Sequence, residues 1–257
     1  MRACVIAAIA VATALAACTT IQAAPSAAAT PFPVAIAAND PSRTAVEADI
    51  TTARARIEHF FGAPFAEPVR VTVAANRTAL DAALPAAWGI APSQCWMVGV
   101  GVADQFFLLS PTAWSDHAQV CDHAGSAEEV QGIVTHELTH AYHGQHNATR
   151  DFTGMDDLGW FVEGLAVYVS GQLETEHAGD ARAAIAANAA PTALANAWSG
   201  RYRYGVSGSM VAYVDAHYGR AKIVELLGAT TQQQALASLG VSEAQFLSDW
   251  RVWAQAH

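Results

Sequence analysis

Residues 126–146 read Ser-Ala-Glu-Glu-Val-Gln-Gly-Ile-Val-Thr-His-Glu-Leu-Thr-His-Ala-Tyr-His-Gly-Gln-His, and the rest of the chain is organised around this stretch. Ser126, followed three residues later by Glu129, is a capping box that starts a helix, and Gly144 is a natural stop. Inside that helix His136 and His140 are four residues apart. They therefore stand one turn apart on one face, where both imidazoles can reach a single metal ion. Glu137 is turned away from them by about 100°. It can flank a water on that ion without ligating the ion itself.

A catalytic ion needs a third protein ligand and an open fourth position. Glu163 is the candidate. It sits in Gly159-Trp-Phe-Val-Glu-Gly-Leu-Ala-Val-Tyr-Val169, a helical run so apolar that a lone carboxylate is costly to bury without a partner. Two other assignments compete. His146 stands at the third-histidine place of the H-E-x-x-H-x-x-G-x-x-H pattern, but His143 replaces the glycine and Gly144 comes one place late. Asp156 or Asp157 could supply a carboxylate, although helix capping is their better reading. His143 reads as a partly exposed histidine at the helix end, and Met155 as a space filler.

Outward from this core, the later chain reads as helices over about 157–173 (with a blemish at Gly171), 180–190 (ended by Pro191), 205–217, 220–227 and 242–256. Ser242 and Gln245 form a second capping box. The earlier chain is mixed. Helices are expected over 41–61, behind Asp40, and over 77–88. Strands are expected over 69–73, 96–102 and 105–109, the last two joined as a hairpin around Ala103-Asp104. Strands early and helices late mean an α+β fold. A small mixed sheet with helices forms the first part (41–125), and a mainly helical second part (126–257) carries the His136 and Glu163 helices. Together they make one domain, 41–257.

The 257-residue chain has 13 Lys+Arg against 23 Asp+Glu, a net charge of −10, and its one lysine is Lys222. That balance, with arginines scattered rather than clustered, excludes a generic nucleic-acid binder. Residues 3–17 are an apolar run behind Met1-Arg2, too short to span a membrane, and 1–17 read as an export signal. Residues 18–40 are Ala- and Pro-rich and read as an extended tether. Cys4 leaves with the signal. Cys95 and Cys121 then remain as an even pair in an oxidising compartment, where a disulfide between them is expected.

Two resemblances add to this reading. Leu15-Ala16-Ala17-Cys18 resembles a bacterial lipobox. It implies cleavage before Cys18 and lipidation of that thiol, and Thr19 in the next place implies an outer-membrane lipoprotein held by its acyl chains. His136-Glu-Leu-Thr-His140, followed by Trp160-Phe-Val-Glu-Gly-Leu-Ala-Val-Tyr168, resembles the gluzincin zinc metallopeptidases and most closely the peptidase MA-like domain. The similarity extends through Tyr204-Gly-Val-Ser207, the segment 213–219 and the closing segment 239–250, covering about residues 126–257. It implies one Zn2+ per chain on His136, His140 and Glu163, Glu137 as general base, and a peptide or protein substrate. A later tyrosine would stabilise the oxyanion, Tyr204 first and Tyr202 as the fallback. An extended substrate would lie along an edge strand, which 97–102 or 105–109 could supply. Two alternatives share these residues: a peptidoglycan amidase, and a non-catalytic zinc-binding envelope lipoprotein acting as an assembly module.

Overall fold

The computed structural model describes residues 31–116 and 120–257. The export signal, Cys18 and the tether up to residue 30 lie outside the described residues. Among those described, the fold is α+β, with one four-stranded mixed sheet in the first part and helices dominating the second. No described helix is long and apolar enough to cross a membrane.

The strands are β1 (Val34–Ala35), β2 (Arg70–Ala74), β3 (Gly99–Val102) and β4 (Gln105–Leu109), in the spatial order β1-β2-β4-β3. The first pairings are parallel, with Val34 beside Val71 and Val71 beside Phe106, whereas β3 and β4 form an antiparallel hairpin with Gly99 opposite Leu108. Ala103 takes a left-handed φ of 40° in the tight turn. The central strands β2 and β4 bury Val71, Val73 and Phe106 to Leu109. That leaves β3 as an edge of the sheet. The tether therefore ends earlier than expected. Residues 31–40 belong to the fold, because Phe32 and Ile36 are buried and β1 pairs with β2. Two paired residues among alanines and prolines are too short a run to show as an alternating strand.

Two helices lie in the first part, α1 (Arg43–Phe61) and α2 (Arg77–Ala83). The expected helix over 77–88 breaks at Pro85, which holds the preceding Leu84 in an extended conformation; a short 3-10 turn follows at Ala86–Trp88. Asp40 does not cap α1 as its N-cap residue. Its Oδ1 accepts from Ser42 N at 2.9 Å and Ser42 Oγ at 2.6 Å, just ahead of the helix. The strand expected to begin at residue 96 begins at Gly99.

The second part holds α3 (Ala127–Gln145), α4 (Gly159–Ser170), α5 (Asp180–Ala186), α6 (Arg203–Tyr218), α7 (Arg220–Leu226), α8 (Gln232–Leu239) and α9 (Glu243–Ala256). Both capping residues act as expected: Ser126 accepts from Glu129 N and Ser242 from Gln245 N, each at 3.2 Å. Gly171 ends α4 in a left-handed conformation, so the helix does not run to 173, and α5 stops short of 190. α8 is an addition to the expected set. α4 is buried on nearly every side, with Trp160 and Phe161 fully enclosed. It crosses α6 backbone to backbone, because a Cβ at Gly164 would collide with the Ser207 carbonyl and one at Gly208 would lie 2.7 Å from Val167 Cγ1.

Cys95 and Cys121 are joined in the expected disulfide, with a Cα–Cα distance of 5.2 Å. The bridge encloses the β3–β4 hairpin. Replacing both cysteines by serine is expected to lower unfolding free energy by about 3 kcal/mol in the chain-entropy account of a loop this long. Equilibrium urea denaturation of the two proteins checks it.

Candidate metal centre and cleft

α3 and α4 pack side by side and bring three ligand-type atoms together. Glu163 Oε2 lies 3.4 Å from His136 Nε2 and 3.6 Å from His140 Nε2. All three atoms fall within 4.8 Å of one another. Charge-assisted hydrogen bonds are shorter, about 2.7–2.9 Å. Atoms bound tetrahedrally to one ion at zinc-like bonds of about 2.1 Å stand about 3.4 Å apart. The spacing fits a shared ion better than it fits direct pairing.

The histidine tautomer fits as well. His136 Nδ1 lies 2.8 Å from Gln172 Oε1. The amide of Gln172 cannot be reversed, because its Nε2 donates to the Glu176 carboxylate at 3.2 Å, which can only accept, and Ser170 Oγ donates to Oε1 at 2.9 Å. Oε1 therefore faces His136, Nδ1 carries the proton, and Nε2 presents its lone pair toward Glu163. Buried Gln172 is thus the outer support that a metal-ligating histidine needs. Nothing in its sequence spacing announces it.

Glu137 faces β3 from the flank of the same cleft. Burial, against the opposing pull of His136, pushes its carboxyl up to about 7, and the Glu163 charge adds to the rise. The Gly101 N–H donates to it. This contact depends on two glycines. A Cβ on Gly99 would lie 2.7 Å from Glu137 Cγ, and one on Gly101 would collide with the Glu137 carbonyl oxygen. Leu109 N donates to Val98 O at 2.8 Å, so by alternation Val100 and Val102 pair with β4 while Gly99 and Gly101 turn their backbone groups to the free edge. β3, not β4, is therefore the edge strand beside the site.

Tyr204, at the start of α6, completes the wall. Its ring is 6.3 Å from that of His136, stacks on His177 at 5.2 Å and meets Trp198 edge-on at 4.6 Å. Burial and the nearby Glu163 charge push its hydroxyl up to about 12 despite Arg203, so it remains a proton donor. Tyr202 is the N-cap residue of α6, packs against the core and does not line the cleft. The cleft has two adjoining lobes of about 460 and 510 Å³ that share Trp96, Met97, Gly99, His136, Glu137 and Tyr204.

The competing candidates do not join the ligand cluster, although Asp156 stands exposed at the rim of the same cleft. His146 Nδ1 bonds to the Tyr142 carbonyl at 2.8 Å and its ring stacks on Tyr142. Asp157 accepts from Gln232 N at 3.1 Å, at the start of α8 rather than of its own helix. His143 corrects an expectation: it is fully buried, not partly exposed, between Phe152 and Phe161 at ring distances of 4.9 and 5.6 Å. Burial lowers its pKa to about 3, so it is neutral. Met155 is buried, as a space-filling residue would be, and also lines the cleft. His177, Arg203, Trp198 and Phe152 line the cleft without having shown any motif.

No family model, no curated protein and no solved structure matches this chain.

The Gly101 contact is testable. Gly101→Ala is expected to cost about 1–3 kcal/mol of stability, because backbone on both sides leaves the methyl nowhere to go. Gly99→Ala meets the movable end of Glu137 and should cost less. Thermal and urea melts of the two variants check the ranking, and equal stability would contradict the close packing of β3 on α3.

Proposed function

We propose that the chain is a zinc-dependent peptidase of the gluzincin type, carried as a lipoprotein of the bacterial envelope. The observation that carries this reading is the convergence of His136 Nε2, His140 Nε2 and Glu163 Oε2 at ion-sharing distances, on the floor of a cleft that also exposes Glu137 and Tyr204. Two imidazoles and one carboxylate form a catalytic zinc set, leaving a further position for reactants. When bound, zinc supplies Lewis acidity and lowers the pKa of water toward ~7.

The chain's own groups divide the remaining work. Gln172 holds His136 in the tautomer that leaves Nε2 free. Glu137, held near 7, can take a proton from attacking water and return it to the leaving amine. Tyr204, protonated throughout the physiological range, can donate to the oxyanion of the tetrahedral intermediate. β3 offers the outward backbone of Gly99 to an extended peptide. A purely structural zinc site closes its four positions with Cys and His and has no use for Glu137. The envelope setting rests on Leu15 to Cys18, and the Cys95–Cys121 bridge is compatible with it.

Two experiments separate metal from chemistry. Elemental analysis of purified protein is expected to find one zinc per chain, with retention much weaker in Glu163→Ala. Gln172→Leu is expected to weaken zinc affinity by about 10–100-fold, measured by competition with a chelating dye. Glu137→Gln should keep its zinc and lose peptide hydrolysis by about 10²–10⁴-fold. A Glu137→Gln protein with undiminished turnover would overturn the peptidase reading and favour the assembly module.

A further inference from the structure

We propose that the cleft selects substrates by a large apolar side chain immediately N-terminal to the scissile amide, seated against Phe152, Met155, Val162 and Trp198. This rests on the peptidase reading above and adds a substrate class to it.

The two lobes differ in chemistry. One is bounded by Asp122, Glu176, His177 and Arg203, so it mixes both signs of charge and favours no single class of side chain. The other is walled by the four apolar residues just named. Met155 and Val162 are almost fully buried, at 2% and 7% exposure, and so form a desolvated wall rather than a surface patch. The Phe152 ring is set 5.9 Å from that of His140, and Trp198 abuts Tyr204, so this wall stands directly beside the reacting groups. Its one added charge is Asp156, exposed at the rim, which disfavours an acidic side chain.

Strand direction assigns this lobe to one side of the scissile bond. β3 runs alongside α3 in the same sense: Gly99 lies by Glu137 and Ala103 by Gly144. A peptide adding to the free edge in the more stable antiparallel sense has its N-terminal half beside Val102 and His140. Its C-terminal half then lies beside Trp96 and His177. Glu137 and Tyr204, shared by both lobes, mark the step at which the amide is cut. The residue before that amide falls in the apolar lobe.

The test uses the purified zinc-loaded protein and peptides identical except for Phe, Leu, Ala or Asp at one central position. Cleavage sites are read by mass spectrometry and kcat/KM for each peptide. Binding of the same peptides to Glu137→Gln is read by fluorescence anisotropy. Cleavage after Phe or Leu is expected to be at least about 10-fold faster than after Ala, with Asp slower still, since apolar pockets discriminate on that scale. Binding to Glu137→Gln should follow the same order, and Phe152→Ala should narrow the Phe-to-Ala ratio. Cleavage with no preference, or with an apolar preference only C-terminal to the bond, would overturn this inference and leave the peptidase reading intact. Ranked binding without cleavage by the parent would keep the apolar subsite and overturn the peptidase reading. Absence of both would overturn both.

Discussion

The arrangement depends on one partly buried carboxylate. Glu163 projects from an apolar helix, α4, into the cleft, where a carboxylate partly removed from water needs a partner. Two imidazoles on a neighbouring helix face it at 3.4 and 3.6 Å, the spacing of ligands about one shared cation. Everything that fixes that distance also fixes the site. The capped α3 aligns His136 and His140, the backbone-to-backbone crossing of α4 on α6 seats Glu163, and α6 begins with Tyr204. The small residues Gly164, Ser207 and Gly208 thus set the positions of two groups of the site at once.

A second constraint acts across the cleft. Glu137 is held at the side of the cleft because β3 comes close enough for the Gly101 N–H to reach it. Only strand residues without side chains allow that approach, and only an edge strand leaves its outward backbone groups unclaimed by the sheet. The hairpin that carries β3 is enclosed by the Cys95–Cys121 bridge. Near one anchor, His123 bonds to Glu129 Oε1 at 2.7 Å and to the Trp96 carbonyl at 2.8 Å. Near the other, the Arg77 guanidinium donates to the Cys95 and Met97 carbonyls. The wall opposite α3 is therefore cross-linked both covalently and by hydrogen bonds.

Much of this was legible in the sequence because it depends on short-range periodicity. A four-residue spacing on a capped helix places two histidines on one face whatever the tertiary fold. An isolated carboxylate in an apolar helix signals an unusual partner. The α+β order and the disulfide followed from element order and cysteine count. What escaped depends on contacts distant in sequence. Gln172 supports His136 across 36 residues. His143 is polar by type, but its burial is decided by Phe152 and Phe161. β1 is two residues long, and α8, rich in Gln and Ala, carries too little apolar periodicity to announce itself. Pro85 was the one local signal that could have split the 77–88 helix in advance.

The central claim is that His136, His140 and Glu163 hold one catalytic zinc. Zinc-edge X-ray absorption on the metal-loaded protein tests it most directly, because it reads the ligand shell irrespective of substrate. The account predicts a four- to five-coordinate zinc with two imidazole nitrogens at about 2.0–2.1 Å, the remaining ligands oxygen and no sulfur. Sulfur in the shell, or a shell without imidazole scattering, would contradict it and move the metal away from this cleft.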